Sequence, residues 1–160
     1  MEKPDVIVAF GFGKEEKTNF HIGEHARYLA LKYGVPLFTQ QDVAKSLKEV
    51  YPPKVIIAEE NGQYLSTLGI VRAVKTMSSI YGWKHVAVVA APCHERRCIR
   101  DLRKMGFSIV RDDGYLRNAY GWPFWYNKDD PQVWVHNPLI WWIREIVLRM
   151  MPWGLYSKIA

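Results

Sequence analysis

The chain has 160 residues, of which 49% are hydrophobic and 24% are charged, and its formal net charge at pH 7 is +6. This length corresponds to one domain that buries about two thirds of its unfolded surface, and the composition excludes disordered and collagen-like proteins. The basic surplus favours anionic partners, namely phosphates, carboxylates, nucleic acid or an anionic membrane surface.

Cysteine usage and hydropathy both predict a cytoplasmic protein. Cys93 and Cys98 are the two cysteines, too few for a disulfide framework, so we expect reduced thiols. The apolar stretch near the N-terminus is too short for a signal peptide. The most apolar segment, 138–153, is interrupted by three charged residues. No transmembrane segment is expected, because a spanning helix needs about 20 apolar residues.

The first third of the chain alternates strand patterns with helix patterns. A continuous apolar run at 6–10 ends in Gly-Phe-Gly, which is typical of a buried parallel strand followed by a tight turn. Residues 21–33 predict a helix with one apolar face, and Gly34 follows where helix-ending glycines are common. A second strand is predicted at 35–38 and a short helix at 42–50.

The same alternation continues through the middle of the chain. A third strand is predicted at 55–58, and Ser66 or Thr67 can cap the helix that follows it. The clearest strand pattern lies at 85–91, and after one more helix a fifth strand is predicted at 107–110. Strands that alternate with helices indicate βαβ units and a mostly parallel sheet.

The predicted fold class is therefore α/β, a Rossmann-like three-layer αβα sandwich with a mostly parallel five-stranded sheet. We expect one domain over 1–160, with its core at about 5–111. Residues 112–160 form a C-terminal helical, aromatic-rich extension, whose last helix begins after Asn137 with Pro138 at its first position.

Ligands of open parallel sheets bind beyond the carboxyl ends of the strands. The first such end carries Gly11, Gly13 and Lys14. Glycines let backbone N–H groups approach an anion, and the lysine adds positive charge. The alternative is a plain tight turn, since the third glycine of a dinucleotide fingerprint and the Walker A pattern are both absent.

Two further strand ends carry polar side chains. Glu60 follows the third strand, and the hydroxyl of Ser66 or Thr67 begins the next helix, where free N–H groups suit a phosphate or carboxylate. The alternative there is a simple helix cap beside solvated glutamates. After the fourth strand, His94 and two arginines begin a helix. Cations oppose the helix dipole at this end, so an anion or an acidic neighbour is expected beside them.

These segments, in this order, resemble the DUF218 (YdcF/SanA/ElyC-like) family. The resemblance covers about 5–110 and includes the apolar strand with its glycines, the acidic segment 60–67, and the stretch 90–98. In that last stretch His94 and Arg97 match the family's His-x-x-Arg motif. The chain departs from the family at 38–41, where a Ser-Gly-Gly turn is usual, and at 67–70. The resemblance implies a Rossmann-like fold and a pocket for a nucleotide-like or phosphorylated anion, without a settled reaction.

The residues and the resemblance together predict a small anionic ligand at the carboxyl edge of the sheet. The cofactor is unknown from sequence; a nucleotide-type ligand such as S-adenosylmethionine is one candidate. If the chain is an enzyme, Glu60 and His94 are the candidate acid and base, because both titrate and project from neighbouring strand ends. The predicted ligand-binding residues are Gly11, Gly13, Lys14, Ser66, Thr67, His94 and Arg97.

One alternative is a zinc-dependent hydrolase. His21, Glu24 and His25 spell H-x-x-E-H, and on a helix the two histidines share a face, as zinc ligands would, with Glu24 as the base. The opposing interpretation is two histidines on a solvated or pocket-facing helix surface, with a chance match to the pattern.

A second alternative is a nucleic-acid-binding module, suggested by the basic charge and the abundant aromatic residues. The arginines after residue 95, however, are mixed with Glu95 and Asp101, and the aromatic residues cluster elsewhere along the chain. Basic and stacking groups are not interleaved as in single-strand binders. The sequence alone therefore predicts no nucleic-acid partner.

The tryptophan-rich C-terminal segment has three interpretations. We expect it to pack across the sheet and close one side of the pocket; the alternatives are a homodimer interface and contact with a membrane surface. Cys93 lies at a helix start, where a thiol pKa can fall. Cys93 is therefore either a catalytic nucleophile or a spectator thiol without a chemical role, and we expect the second.

Overall fold

The structure, a computed structural model, describes residues 2–47, 54–59, 65–111 and 114–159. The strands in these ranges are β1 (Val6–Ala9), β2 (Leu37–Thr39), β3 (Val55–Ile57), β4 (His85–Val89) and β5 (Ser108–Val110). The helices are α1 (Glu16–Tyr33), α2 (Gln41–Ser46), α3 (Thr67–Tyr81), α4 (Pro92–Lys104), α5 (Tyr115–Ala119), α6 (Pro138–Met150) and α7 (Trp153–Ile159). Two short 3-10 helices lie at Trp122–Trp125 and Val133–Val135.

The five strands form one parallel sheet in the order β3-β2-β1-β4-β5. This confirms the predicted α/β fold class. The chain adds strands on one side of β1 and then crosses to pair β4 with its other side, with Val6 opposite Val86 and Ala9 opposite Val89. At such a reversal the two flanking connections leave in opposite directions, so a crevice opens beyond the carboxyl ends of β1 and β4.

Alternating side chains of β1 divide the core into two layers, because successive residues of a strand point to opposite faces. Ile7 and Ala9 belong to a buried cluster with α1 and α2, whereas Val6 and Val8 belong to a second cluster with α3 and α4. All four residues are fully buried. A strand buried on both faces is why this run is uninterruptedly apolar.

The C-terminal extension packs against both layers at the carboxyl edge of the sheet. Trp141 of α6 joins the first cluster and Tyr156 of α7 joins the second. Tyr156 is completely buried, and its hydroxyl donates a hydrogen bond of 2.5 Å to the buried carboxylate of Asp101. None of the helices in the described ranges is long and apolar enough to span a membrane.

Most predicted helix ends agree with the structure, but α1 begins at Glu16 instead of residue 21, and α2, predicted to reach residue 50, ends at Ser46. Its first turn lacks apolar periodicity, because Thr18 and Asn19 are buried there to hydrogen-bond the carbonyl groups of the preceding loop. Gly34 ends the helix with a φ of 62°, as predicted. The amide side chain of Asn137 caps α6 by accepting from the N–H of Ile140.

Candidate functional site

A cavity of about 200 Å³ lies at the carboxyl edge of the sheet, where the sequence predicts ligand binding. Six of the seven predicted ligand-binding residues line it: Gly11, Gly13, Ser66, Thr67, His94 and Arg97. The lining also includes Gln40 and, from the C-terminal extension, Gln132, Trp134, Trp141 and Arg144. The strand ends thus converge as expected, and the extension closes the cavity from the other side.

The two hydroxyl residues before α3 have different roles. Ser66 is the helix cap, because its Oγ accepts a 3.1 Å hydrogen bond from the N–H of Gly69. Thr67 is the first residue of the helix, and its Oγ1 lies 3.2 Å from Nε2 of His94. The ambiguity between the two positions is resolved: Thr67 contacts the histidine, and Ser66 stabilises the helix start.

His94 is a neutral ring that orients the Thr67 hydroxyl. The ring is 4% exposed, and burial, followed by the charge of Arg97, holds the pKa of His94 well below its ordinary value. Arg97 Nη2 lies 3.2 Å from Nδ1, and a guanidinium can only donate, so Nδ1 accepts. In a neutral ring the proton is then on Nε2, which donates to Thr67. The hydroxyl hydrogen of Thr67 is left to donate elsewhere.

Arg97 is paired with an acidic residue that the sequence interpretation missed. Its Nε lies 2.8 Å from Oε1 of Glu145 on α6, and Glu145 is completely buried. Arg149 approaches the same carboxylate at 3.2 Å and Arg144 at 3.8 Å. The acidic neighbour expected at the start of α4 is therefore supplied from within the chain. In the sequence, Glu145 differs from its surroundings only as the single acidic residue, beside two arginines, in the apolar segment 138–153.

Three guanidinium groups surround this carboxylate. Arg97, Arg144 and Arg149 each lie within ion-pair distance of Glu145. Arg97 and Arg144 also line the cavity. Trp141 lies between them, with its ring centroid 5.9 Å from one guanidinium carbon and 5.6 Å from the other. The Trp141 ring thus contacts both cations, and both guanidinium groups border the cavity.

The glycine loop after β1 is bound by side chains of the protein itself. Gly11 N–H donates to Gln40 Oε1 at 2.6 Å. The N–H groups of Lys14 and Glu15 donate to one oxygen of Asp130, at 2.6 and 3.1 Å. Asp130 is 5% exposed and comes from the extension. The loop does hold an anion, and that anion is a carboxylate of this chain.

The contact with Asp130 explains why residue 13 is a glycine. Gly13 has a φ of 69°, and a Cβ atom there would lie 2.5 Å from Asp130 Oδ2. The glycine therefore permits the close approach of Asp130, in addition to its backbone conformation. Lys14 departs from the prediction, because its ammonium pairs with Asp42 at 2.6 Å and does not belong to the cavity lining.

The residues of the zinc hypothesis lie in a separate cavity of about 410 Å³, between α1 and α5. His21 Nδ1 lies 2.7 Å from the hydroxyl of Tyr120, and His25 stacks on Tyr115 with ring centroids 5.0 Å apart. Within the described ranges, no group of three histidine, cysteine or acidic side chains is arranged to hold a metal ion. Glu60, the predicted catalytic acid or base, lies outside the described residues.

Cys93 is buried in the core cluster that contains Trp125 and Trp141. It is 3% exposed, and burial raises the pKa of its thiol to about 12. A thiol is nucleophilic only when deprotonated, so Cys93 is in its unreactive form at neutral pH. This favours the spectator interpretation over the nucleophile.

Comparisons with known proteins gave no relative. A scan against protein-family models, a search of curated proteins and a search of solved structures each returned no match. The resemblance to the DUF218 family therefore stays a prediction based on motifs, and any function has to be inferred from the geometry of the site.

Proposed function

We propose that the cavity at the carboxyl edge of the sheet binds a compact phosphorylated or similarly charged anion. The observation that carries the proposal is the pair of guanidinium groups, Arg97 and Arg144, that line one cavity together with the hydroxyl groups of Ser66 and Thr67. A dianion placed between them would form charge-assisted hydrogen bonds with both guanidinium groups. The proposal agrees with the ligand class that the resemblance to the DUF218 family implies.

The hydrogen-bonding groups of the cavity also suit an anion. The Thr67 hydroxyl accepts a hydrogen bond from His94, and the Ser66 hydroxyl accepts one from Gly69 N–H. Both hydroxyls therefore keep their own hydrogen to donate toward a ligand. Together with the two guanidinium groups, this gives donors of two kinds, and charge-assisted hydrogen bonds to phosphate are among the strongest that proteins form.

The size of the cavity narrows the ligand class. Pockets for drug-sized ligands usually measure about 300–1,000 Å³, whereas this cavity measures about 200 Å³. A phosphate group with a small body, such as a sugar phosphate, fits this volume better than S-adenosylmethionine or a dinucleotide. Trp134 offers an aromatic wall for that body, 4.9 Å from the Arg144 guanidinium.

The experiment is a comparison of two arginine variants by isothermal titration with inorganic phosphate, pyrophosphate, ribose 5-phosphate and S-adenosylmethionine. Arg144→Gln removes a cavity cation, and we expect at least tenfold weaker binding of the phosphorylated ligands. Arg149→Gln is the matched control, because Arg149 pairs with the same carboxylate without lining the cavity. Thr67→Val removes the donor hydroxyl at constant shape and should also weaken binding.

Two results would contradict the proposal. The first is the absence of binding by all four ligands to the wild-type protein, checked by thermal shift, where a ligand at 100 times its Kd adds about 2.7 kcal/mol. The second is an equal loss of affinity in Arg144→Gln and Arg149→Gln, which would indicate unspecific attraction by the basic surface.

The predicted homodimer and the cytoplasmic location stay predictions. The exposed surface of α6 is aliphatic more than aromatic, since Leu139, Ile143, Ile146 and Met150 are each more than half exposed, whereas Trp141 is buried. Sedimentation of the purified chain would test self-association directly.

A further inference from the structure

A second basic surface lies on the outer side of α4, away from the cavity described above. It is a groove of about 990 Å³ between α4, β5 and α5. Its described lining includes one acidic side chain, Glu95. The cationic side chains that line it are Arg96, Arg100, Arg103, Lys104, Arg111 and Arg117.

Two of these six cations are ion-paired. Arg100 pairs with Asp101 at 2.8 Å and Arg117 with Glu95 at 2.6 Å. The other four form no ion pair with any residue in the described ranges, and each is exposed: Arg96, Arg103, Lys104 and Arg111. Asp112 and Asp113, next in the sequence, lie outside the described residues. Four exposed cations along one groove, without an ion pair in the part of the chain that the structure describes, attract a partner with several negative charges.

Aromatic side chains continue this groove at one end. An adjoining cavity of about 350 Å³ is lined by Trp122, Trp125 and Trp142, and it shares Arg96 and Arg117 with the groove. Trp122 is 49% exposed. Basic and aromatic residues that are separate in the sequence are therefore neighbours in the fold, and the main reason to exclude nucleic acid no longer applies.

We propose that the groove and the tryptophan cavity together bind single-stranded nucleic acid. The cations would contact the phosphates, and the exposed Trp122 ring would stack with an unpaired base, as in proteins that bind single strands without sequence preference. A duplex offers its bases already stacked, so it cannot use the ring. The surface shares no lining residue with the small-anion cavity, so the two proposals stand or fall separately.

The experiment measures fluorescence anisotropy of a labelled single-stranded 20-nucleotide oligonucleotide with the full chain, at several KCl concentrations. Four phosphate contacts predict a slope of log K against log salt of about −3, since each contact contributes about −0.7 for a single strand. The same sequence as a duplex should bind at least several-fold more weakly. Arg144→Gln, which weakens the small-anion cavity, should leave this binding unchanged.

Two double variants with the same change in net charge locate the site. Arg103→Glu with Arg111→Glu reverses two groove cations and should weaken binding at least tenfold. Lys45→Glu with Lys84→Glu reverses two exposed lysines that line neither the groove nor the tryptophan cavity, and should weaken it less than threefold. Trp122→Ala should weaken binding about tenfold with the salt slope unchanged, and Trp122→Phe should restore most of it.

The proposal is overturned by any of four results. These are no binding at about 50 mM KCl, equal affinity for the duplex, equal losses in the two double variants, and displacement of the oligonucleotide by tripolyphosphate at the same phosphate concentration. The last result would assign the groove to a small polyanion. Circular dichroism and thermal melting of each variant show whether a loss of affinity reflects unfolding.

Discussion

Replacing Glu145 by glutamine removes the negative charge that holds three arginines together, while it keeps the size and shape of the side chain. Glu145 is completely buried, and the Arg97 side chain beside it is 5% exposed. Arg144 and Arg149 reach the same carboxylate from positions that are 32% and 26% exposed. The variant therefore leaves one fully buried cation and two partly solvated cations without their partner.

The size of the effect follows from these exposures. Removing one partner of a buried ion pair costs about 3–5 kcal/mol, because the remaining charge stays desolvated. Water relieves part of the cost for the two partly exposed arginines, so we expect about 3 kcal/mol. For a chain of this length, each kcal/mol lowers Tm by about 2–4 °C, which predicts a decrease of about 6–12 °C.

The assay is urea denaturation, followed by thermal melting in increasing concentrations of phosphate. Phosphate should stabilise Glu145→Gln more than the wild-type protein, because an anion in the cavity replaces part of the missing charge. Glu24→Gln is the control, since Glu24 pairs with Arg27 at the surface and should contribute less than about 1 kcal/mol. A decrease of less than about 1 kcal/mol in the free energy of unfolding of Glu145→Gln, or equal phosphate stabilisation of both proteins, would show that Glu145 does not neutralise these arginines.

Three further predictions concern buried groups. The pKa of His94 is lowered by burial, so below about pH 6.5 only the unfolded chain takes up a proton at this residue. The free energy of unfolding should therefore fall by up to about 1.4 kcal/mol per pH unit as the pH decreases from there. Urea denaturation of His94→Asn should show a shallower dependence of this free energy on pH, and an identical dependence would contradict the assignment. Cys93 and Cys98, whose burial raises their thiol pKa values, should react with Ellman's reagent at about pH 8 only after denaturation, whereas rapid reaction of the folded protein would show an accessible thiolate. Asp130→Ala should cost about 1.5–3 kcal/mol, because it removes charge-assisted hydrogen bonds from two loop N–H groups. Gly13→Ala should then cost less in that background than in the wild type, since its Cβ would meet the Asp130 carboxylate, and strictly additive effects in the double-mutant cycle would refute this contact.

The sheet could be predicted because its local signals agree with one another. The run at β1 is apolar at every position and the run at β4 is apolar at every position after His85, as strands buried on both faces must be, and Gly34 ends α1 in the left-handed conformation that favours glycine. The start of α1 was missed, since Thr18 and Asn19 are buried by hydrogen bonds that no hydrophobic period reveals.

The candidate site could be predicted only as far as strand ends determine it. Thr67 follows β3, whereas His94 and Arg97 follow β4, and β2 and β1 lie between these two strands, so the prediction that their ends are neighbours was wrong. The carboxyl ends of parallel strands still share one edge of the sheet, and there the three residues line the same cavity. Glu145 and Asp130 come from the extension, whose packing depends on contacts over long stretches of sequence. The contact of Asp130 with Lys14, for example, spans 116 residues. Their carboxylates therefore could not be placed from the sequence.

These two carboxylates decide where a ligand's charge can lie. The sequence predicts an anion at three positions, and two of them, the loop after β1 and the start of α4, receive a carboxylate from the extension. At the loop, Asp130 accepts from two N–H groups, while the Lys14 ammonium is paired with Asp42. At α4, Glu145 faces three guanidinium groups, and two of them, Arg97 and Arg144, line the cavity. A ligand anion should therefore bind beside Arg144 and Thr67, and it should leave the contacts of Asp130 intact. Hydrogen exchange of the backbone amides distinguishes the two binding positions. Phosphate that displaced Asp130 would change the exchange protection of the Lys14 N–H, whereas phosphate bound beside Arg144 would not.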